Sequence, residues 1–198
     1  MIESEMEDGW ILYTITEAGF SIALPPEWFS FELTGGMAED LTEFLTEEEG
    51  SEMWGYYEDI LPTLIEQGIK FYGIEFSAEG LDSGFPSSIN IMQQDLPAGF
   101  TLEQLAEMSA TMMESMFELP TPVEHDSVEL SAGTAERLSY GMEALSVSGE
   151  SIDAKLYQYM IESEGVITII TVGSTADRFE ELTPTFDQIA NSFRFDEQ

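Results

Sequence analysis

KLYQYMIESEGVITIITVGSTADRFEELTPTFDQIANSFRF, residues Lys155 to Phe195, contains two strand-like runs and a helix. Lys155–Glu162 and Val166–Gly173 flank a short polar link ending in Gly165, the pattern of a β-hairpin. A polar connector follows. Thr183-Pro184 then reads as an N-cap and first helical residue, where proline's missing N–H costs nothing. Phe186, Ile189, Ala190 and Phe193 continue at helical spacing. The run Val166, Ile167, Ile169, Ile170, Val172 shows little polar alternation. A strand of that kind is apolar on both faces, so something must cover both.

Working outward, Trp10–Ile15 reads as a strand, and Phe20–Leu24 as another with Phe20, Ile22 and Leu24 on one face. Pro25-Pro26-Glu27-Trp28 stops it, because proline removes a donor the ladder needs, so the chain must leave the sheet there. Trp28 is expected to fold back over the sheet end, and Phe29–Leu33 to resume as strand. Met37, Leu41, Phe44 and Leu45 share one helical face, and a second helical pattern runs from Met53 to Ile65 with Pro62 inside it and Gly68 as its C-cap. Ile69–Phe76 and Ser87–Gln94 read as strands, and Ala78–Pro86 as a loop. Thr101 with Gln104 forms a capping box for a helix whose apolar stripe is Leu102, Leu105, Ala106, Met112, Met113 and Met116. Pro120 and Pro122 end that helix. Two shorter strands, Ser127–Leu130 and Glu136–Met142, flank a turn at Gly133.

The expected fold class is therefore α+β: a mainly antiparallel β-sheet sandwiched between helices, in an α/β/α arrangement. Residues 1–9 read as an acidic, frayed tail. Residues 10–198 read as a single domain with a helical insertion at about 37–68.

Composition excludes several functions. Forty acidic residues stand against five basic ones, for a net charge of −35. The five cations, Lys70, Arg137, Lys155, Arg178 and Arg194, cannot build a phosphate-binding face, so the chain should repel nucleic acid and anionic membranes. There is no cysteine, which removes disulfides, thiolate metal sites and cysteine nucleophiles. No apolar run approaches the roughly 20 residues of a membrane span. The start, MIESEMED, is acidic and lacks the basic-then-apolar pattern of a signal peptide, leaving a cytoplasmic protein or one whose leader has been removed.

The order of elements resembles the PsbP-like family, which includes the extrinsic PsbP subunit of photosystem II, bacterial lipoproteins and a eukaryotic Ran-binding nuclear import factor. Gly19-Phe20-Ser21-Ile22 running into Leu24-Pro25-Pro26-Glu27-Trp28 is similar to that family's opening. Ser88-Ile89-Asn90-Ile91, then Thr101-Leu102-Glu103-Gln104-Leu105, and the closing hairpin and helix through Asn191-Ser192-Phe193-Arg194-Phe195 extend the likeness over most of the chain. The resemblance implies a sheet between helical layers, no catalysis, and a binding or assembly role, in many bacterial members outside the cytoplasm. It carries over no partner and no site residue. Two features are this chain's own: the longer, more helical Met37–Gly68 segment and the extreme acidity.

Motifs for chemistry are sparse. There is no GxGxxG, GxxxxGK, HExxH or GxSxG. His125 is the only histidine, so a histidine-rich zinc site is impossible within one chain. Flanked by Glu124 and Asp126, it reads as an exposed loop residue. No DxDxDG calcium loop exists. The nearest metal candidates are Glu48, Glu49 and Glu52, beside Glu47, and Asp82 in the Glu79–Asp82 loop, with weak Ca2+ binding as the only cofactor expectation. Met108, Met112, Met113 and Met116 crowd one helix. Core packing is the expected reason, and a methionine-rich adaptable groove the alternative. Trp54, Tyr56 and Tyr57 occupy nearly consecutive positions and cannot all face one core. With Glu52 and Glu58 they suit a basic protein partner. The expected function is a non-catalytic binding or assembly module, exported or lipoprotein-derived, with an acidic, aromatic-containing face. The alternatives are a salt-adapted acidic protein and, further off, a carboxylate-dependent hydrolase.

Overall fold

The computed structural model describes residues 1–33 and 63–196. Its strands are β1 (Ile2–Glu5), β2 (Ile11–Ile15), β3 (Phe20–Leu24), β4 (Trp28–Glu32), β5 (Ile69–Glu75), β6 (Ser88–Asp95), β7 (Glu124–Leu130), β8 (Gly133–Leu145), β9 (Ser151–Ser163), β10 (Val166–Thr175) and β11 (Arg194–Phe195). Its helices are α1 (Ala78–Asp82), α2 (Leu102–Met116) and α3 (Ala176–Ser192). The seven-stranded sheet has the order β4-β5-β6-β10-β9-β8-β7, and a four-stranded sheet has the order β1-β2-β3-β11. Every pairing is antiparallel.

The C-terminal hairpin forms as its sequence implies and runs longer, with Val166 opposite Ser163 and Thr175 opposite Ala154. Glu164 and Gly165 make the two-residue turn, both with positive φ, 54° and 82°. That backbone matches the twist of the flanking strands. β10 lies between β6 and β9 and is covered on both faces. Ile170 and Val172 pack with Phe179 and Phe186 of α3 and with Phe20, Ile22 and Leu24 of the small sheet. Ile167 and Ile169 point the other way, into a second cluster with Ala106 of α2, Leu138 and Met160. The large sheet is thus a middle layer, with α2 on one face and α3 plus the small sheet on the other.

The second sheet goes beyond the single sheet the sequence suggested, and Pro25-Pro26 explains it. β3 belongs to the small sheet and β4 to the large one, so the prolines mark where the chain changes sheets. Trp28 opens β4 opposite Glu75 and is buried in the main core. Gly73 permits the sheets to meet: a Cβ there would stand 2.8 Å from Leu24 Cδ1 and 2.9 Å from Ile89 Cγ2.

Three expectations change. The last helix does not begin at Thr183-Pro184; it begins at Ala176, straight from β10, with Pro184 inside it. An interior proline costs about 3 kcal/mol. The Thr183 hydroxyl donates to Phe179 O at 2.9 Å, and the two earlier turns place Phe179 in the core and Arg178 on Glu75, which offsets that cost. The acidic start, read as frayed, contributes β1 as an edge strand, with Ile2 opposite Thr14. The Ala78–Pro86 loop contains α1. Of the helical insertion at about 37–68, positions 34–62 lie outside the described residues. Its end is helical over 63–66 and closes as expected, with Gly68 at φ 79° donating to Ile65 O.

Candidate functional site

α2 is built to stand without deep burial. The Thr101 side chain accepts from Gln104 N at 3.2 Å, and Thr101 N donates to Gln104 Oε1 at 3.0 Å, so the expected capping box is present. Glu103 in the first turn favours the positive helix N-terminus. Leu102, Leu105, Ala110 and Met113 pack towards the sheet around Ala106, the one fully buried residue of the helix. Three methionines expected in the core lie elsewhere. Met108, Met112 and Met116 are 54%, 55% and 68% exposed. Their i, i+4, i+8 spacing makes a single stripe on the outer face. Glu107, Met108, Thr111, Met112 and Ser115 line a groove of about 460 Å³ along it. Glu103, Glu107 and Glu114 share one exposed flank by the same helical geometry, and the last turn carries no basic residue. Only Met113 of the four joins the core.

The cations leave this face unneutralised. Arg178 makes a two-point contact with buried Glu75, at 2.8 and 2.9 Å. Burial favours the neutral acid at Glu75, but hydrogen bonds from Arg178, Ser77 and Ser87 outweigh it and hold this carboxyl below the usual carboxylate range. Arg137 donates twice to Asp126, at 3.0 and 2.7 Å, and lies 4.8 Å from the Tyr157 ring centroid. Lys155 sits 5.1 Å from the Phe179 ring centroid, and Arg194 donates to Asn191 O and Phe193 O. Four of the chain's five cations are therefore engaged within the fold itself.

His125 is neither exposed nor in a loop. It lies in β7, 2.7 Å from Glu136 Oε2 across the ladder, and Ser127 donates to the same carboxylate at 2.9 and 3.0 Å. A serine primed for attack would hydrogen-bond the histidine, which would act as its base. Here serine and histidine both point to the carboxylate, so the trio ties edge strand β7 to β8.

The sequence's other candidates separate into two groups. Trp54, Tyr56, Tyr57, Glu52 and Glu58, and the metal candidates Glu48 and Glu49, lie outside the described residues. Asp82 is exposed at the end of α1. Among the described residues no three His, Asp or Glu side chains gather to hold a metal ion. No described helix is long and apolar enough to cross a membrane. A second hollow, of about 680 Å³, lies beside Gly19, Gln93, Val166 and Phe195; its ionisable groups are Glu164 and Asp196. No buried charged group converges on it.

No protein-family model matches the chain, and no curated protein sequence matches it. Solved structures do. The chain is similar to the cyanobacterial PsbP of Synechocystis sp. PCC 6803, with a TM-score of 0.51 and 13% identity over 93% of this chain and 91% of that one. It is similar to LpqN of Mycobacterium tuberculosis, involved in cell envelope biogenesis, with a TM-score of 0.51 and 10% identity over 99% and 90%. It is also similar to the Ran-binding protein Mog1p of Saccharomyces cerevisiae, with a TM-score of 0.50 and 10% identity over 98% and 94%. The chain has the PsbP-like fold.

Proposed function

We propose that this chain is a non-catalytic protein-binding module that captures a basic, amphipathic segment on the outer face of α2. The observation that carries the reading is the exposed stripe Met108, Met112, Met116, with the Glu107 carboxylate lining the same groove. An adaptable apolar strip on a helix whose other exposed flank carries Glu103, Glu107 and Glu114 fits a partner helix with one apolar and one cationic face. The net charge of −35 speeds the encounter with such a partner and repels acidic competitors. The fold is compatible with this role, since Mog1p is a Ran-binding protein. LpqN's part in cell envelope biogenesis favours a site of action outside the cytoplasm. Trp54, Tyr56 and Tyr57, with Glu52 and Glu58, are proposed from the sequence as further partner-binding residues.

The test is a fluorescence titration with a labelled amphipathic Lys/Leu helix and a Glu/Leu helix of the same length. Wild type should bind the basic peptide only. Met108→Asp with Met112→Asp should lose it while keeping the wild-type circular dichroism. Trp54→Ala with Tyr56→Ala should weaken it if the aromatic segment shares the contact. Equal binding by wild type and the Met→Asp variant would remove α2 from the interface.

A further inference from the structure

A docking strip could be made of leucine, but this one is made of thioethers. Methionine ordinarily fills irregular gaps in cores. Here Met108, Met112 and Met116 are each more than half exposed on one helix face. Residues one helical turn apart have Cβ atoms about 5–6 Å apart. Methionine's three rotatable bonds then let two neighbouring sulfurs converge on one point above the helix. Met108 and Met112 line the same groove, together with the Glu107 carboxylate and the Thr111 and Ser115 hydroxyls.

We propose that Met108 and Met112, with Met116 one turn further on, form a site for a soft monovalent cation of the Cu(I) class. Thioether sulfur is a soft donor that suits Cu(I) and is a poor ligand for Ca2+ or Mg2+. Stronger ligands for such an ion are scarce elsewhere in the chain. There is no cysteine, and the sole histidine is 2.7 Å from a carboxylate. No lysine or arginine occurs between Lys70 and Arg137, so the chain around α2 brings no positive charge to the groove. The negative field of the whole protein raises the local concentration of any cation, and the sulfurs select among cations. The site uses the same face as the proposed docking surface but a different chemistry, and it does not depend on that reading.

The experiment uses Ag(I), a redox-inert probe of the same class, with the protein labelled at its methionine methyl groups and followed by NMR. A single equivalent should shift Met108 and Met112 first, then Met116. It should leave Met113 and the other seven of the chain's 11 methionines unmoved. Ca2+ at the same concentration should move none of them. Met108→Leu with Met112→Leu keeps the apolar volume and should keep the circular dichroism, but it should lose the ion. A competition titration with Cu(I) held by a chromophoric chelator, under anaerobic conditions, should show the same loss. Shifts spread evenly over all methionines, retention of the ion by the Met→Leu variant, or no response to Ag(I) would each overturn the site.

Discussion

α2 and α3 lie on opposite faces of the same large sheet, and each has an apolar face, yet only one of them is committed to the core. α3 buries Phe179, Phe186, Ile189 and Ala190 to 1% exposure or less, between the large sheet and the small one. α2 buries Ala106 alone and turns three methionines outward. The difference follows from what lies opposite each helix. α3 is packed from two sides, by β9 and β10 of the large sheet and by β3 of the small one. α2 is packed from one side only, on β7, β8 and β9 of the large sheet, and its outer methionines stay exposed. One helix holds the fold together, and the other is held by its own cap and presents a surface.

The largest expected effect tests that contrast directly. Phe186→Ala should cost about 3–5 kcal/mol, the usual penalty for emptying a buried aromatic site. Met112→Ala, with a side chain half in water, should change stability by less than about 0.5 kcal/mol. Urea unfolding of both variants gives the comparison. A Met112→Ala cost approaching that of Phe186→Ala would mean that the outer face of α2 is covered in the native protein.

The second effect concerns how α3 is tied down at its start. Glu75→Gln keeps the shape but removes the charge that faces Arg178, and should cost about 2 kcal/mol at neutral pH. The carboxyl's folded-state pKa is depressed. Its contribution is therefore fully present above the ordinary carboxylate range and is lost as pH falls through the folded value. The stability gap between wild type and Glu75→Gln should accordingly narrow in acid. Unfolding at a series of pH values checks this, and a gap that stayed constant to low pH would show that the pair does not depend on the ionised carboxylate. Gly80 lies against the same group: a Cβ there would stand 2.9 Å from Glu75 Cδ.

What could be read in the sequence was mostly local. The Glu164-Gly165 turn, the Thr101–Gln104 box and the Pro25-Pro26 stop each depend on a few adjacent residues, and each forms as read. The split into two sheets depends on long-range pairing. β11 closes the small sheet by placing Arg194 opposite Ser21, across most of the chain, and no local pattern encodes that partner. Pro184 concealed the start of α3, because a proline signals a helix start more often than a helix middle, and the burial of Phe179 overrode that preference. At the candidate site, the spacing of Met108, Met112 and Met116 was plain, but its exposure was not. α2 carries two apolar stripes, and a helix lying on a sheet can bury only one. The better fit of Leu102, Leu105, Ala106 and Met113 to the sheet decided which.

The loss of the α2 cap, smaller than either core change, sharpens the contrast furthest. Thr101→Ala removes the side-chain acceptor for Gln104 N, and losing a cap of this kind costs about 1 kcal/mol. If α2 is held mainly by its cap and one shallow face, that loss should appear as local opening. Amide exchange along α2 should accelerate, while β10 and α3 keep the protection of the intact fold. If instead the global unfolding midpoint falls and exchange rises equally in both helices, α2 and α3 form one cooperative unit. The outward methionines would then sit on a rigid part of the core layer, and a partner would meet a preformed surface rather than one that can adjust to it.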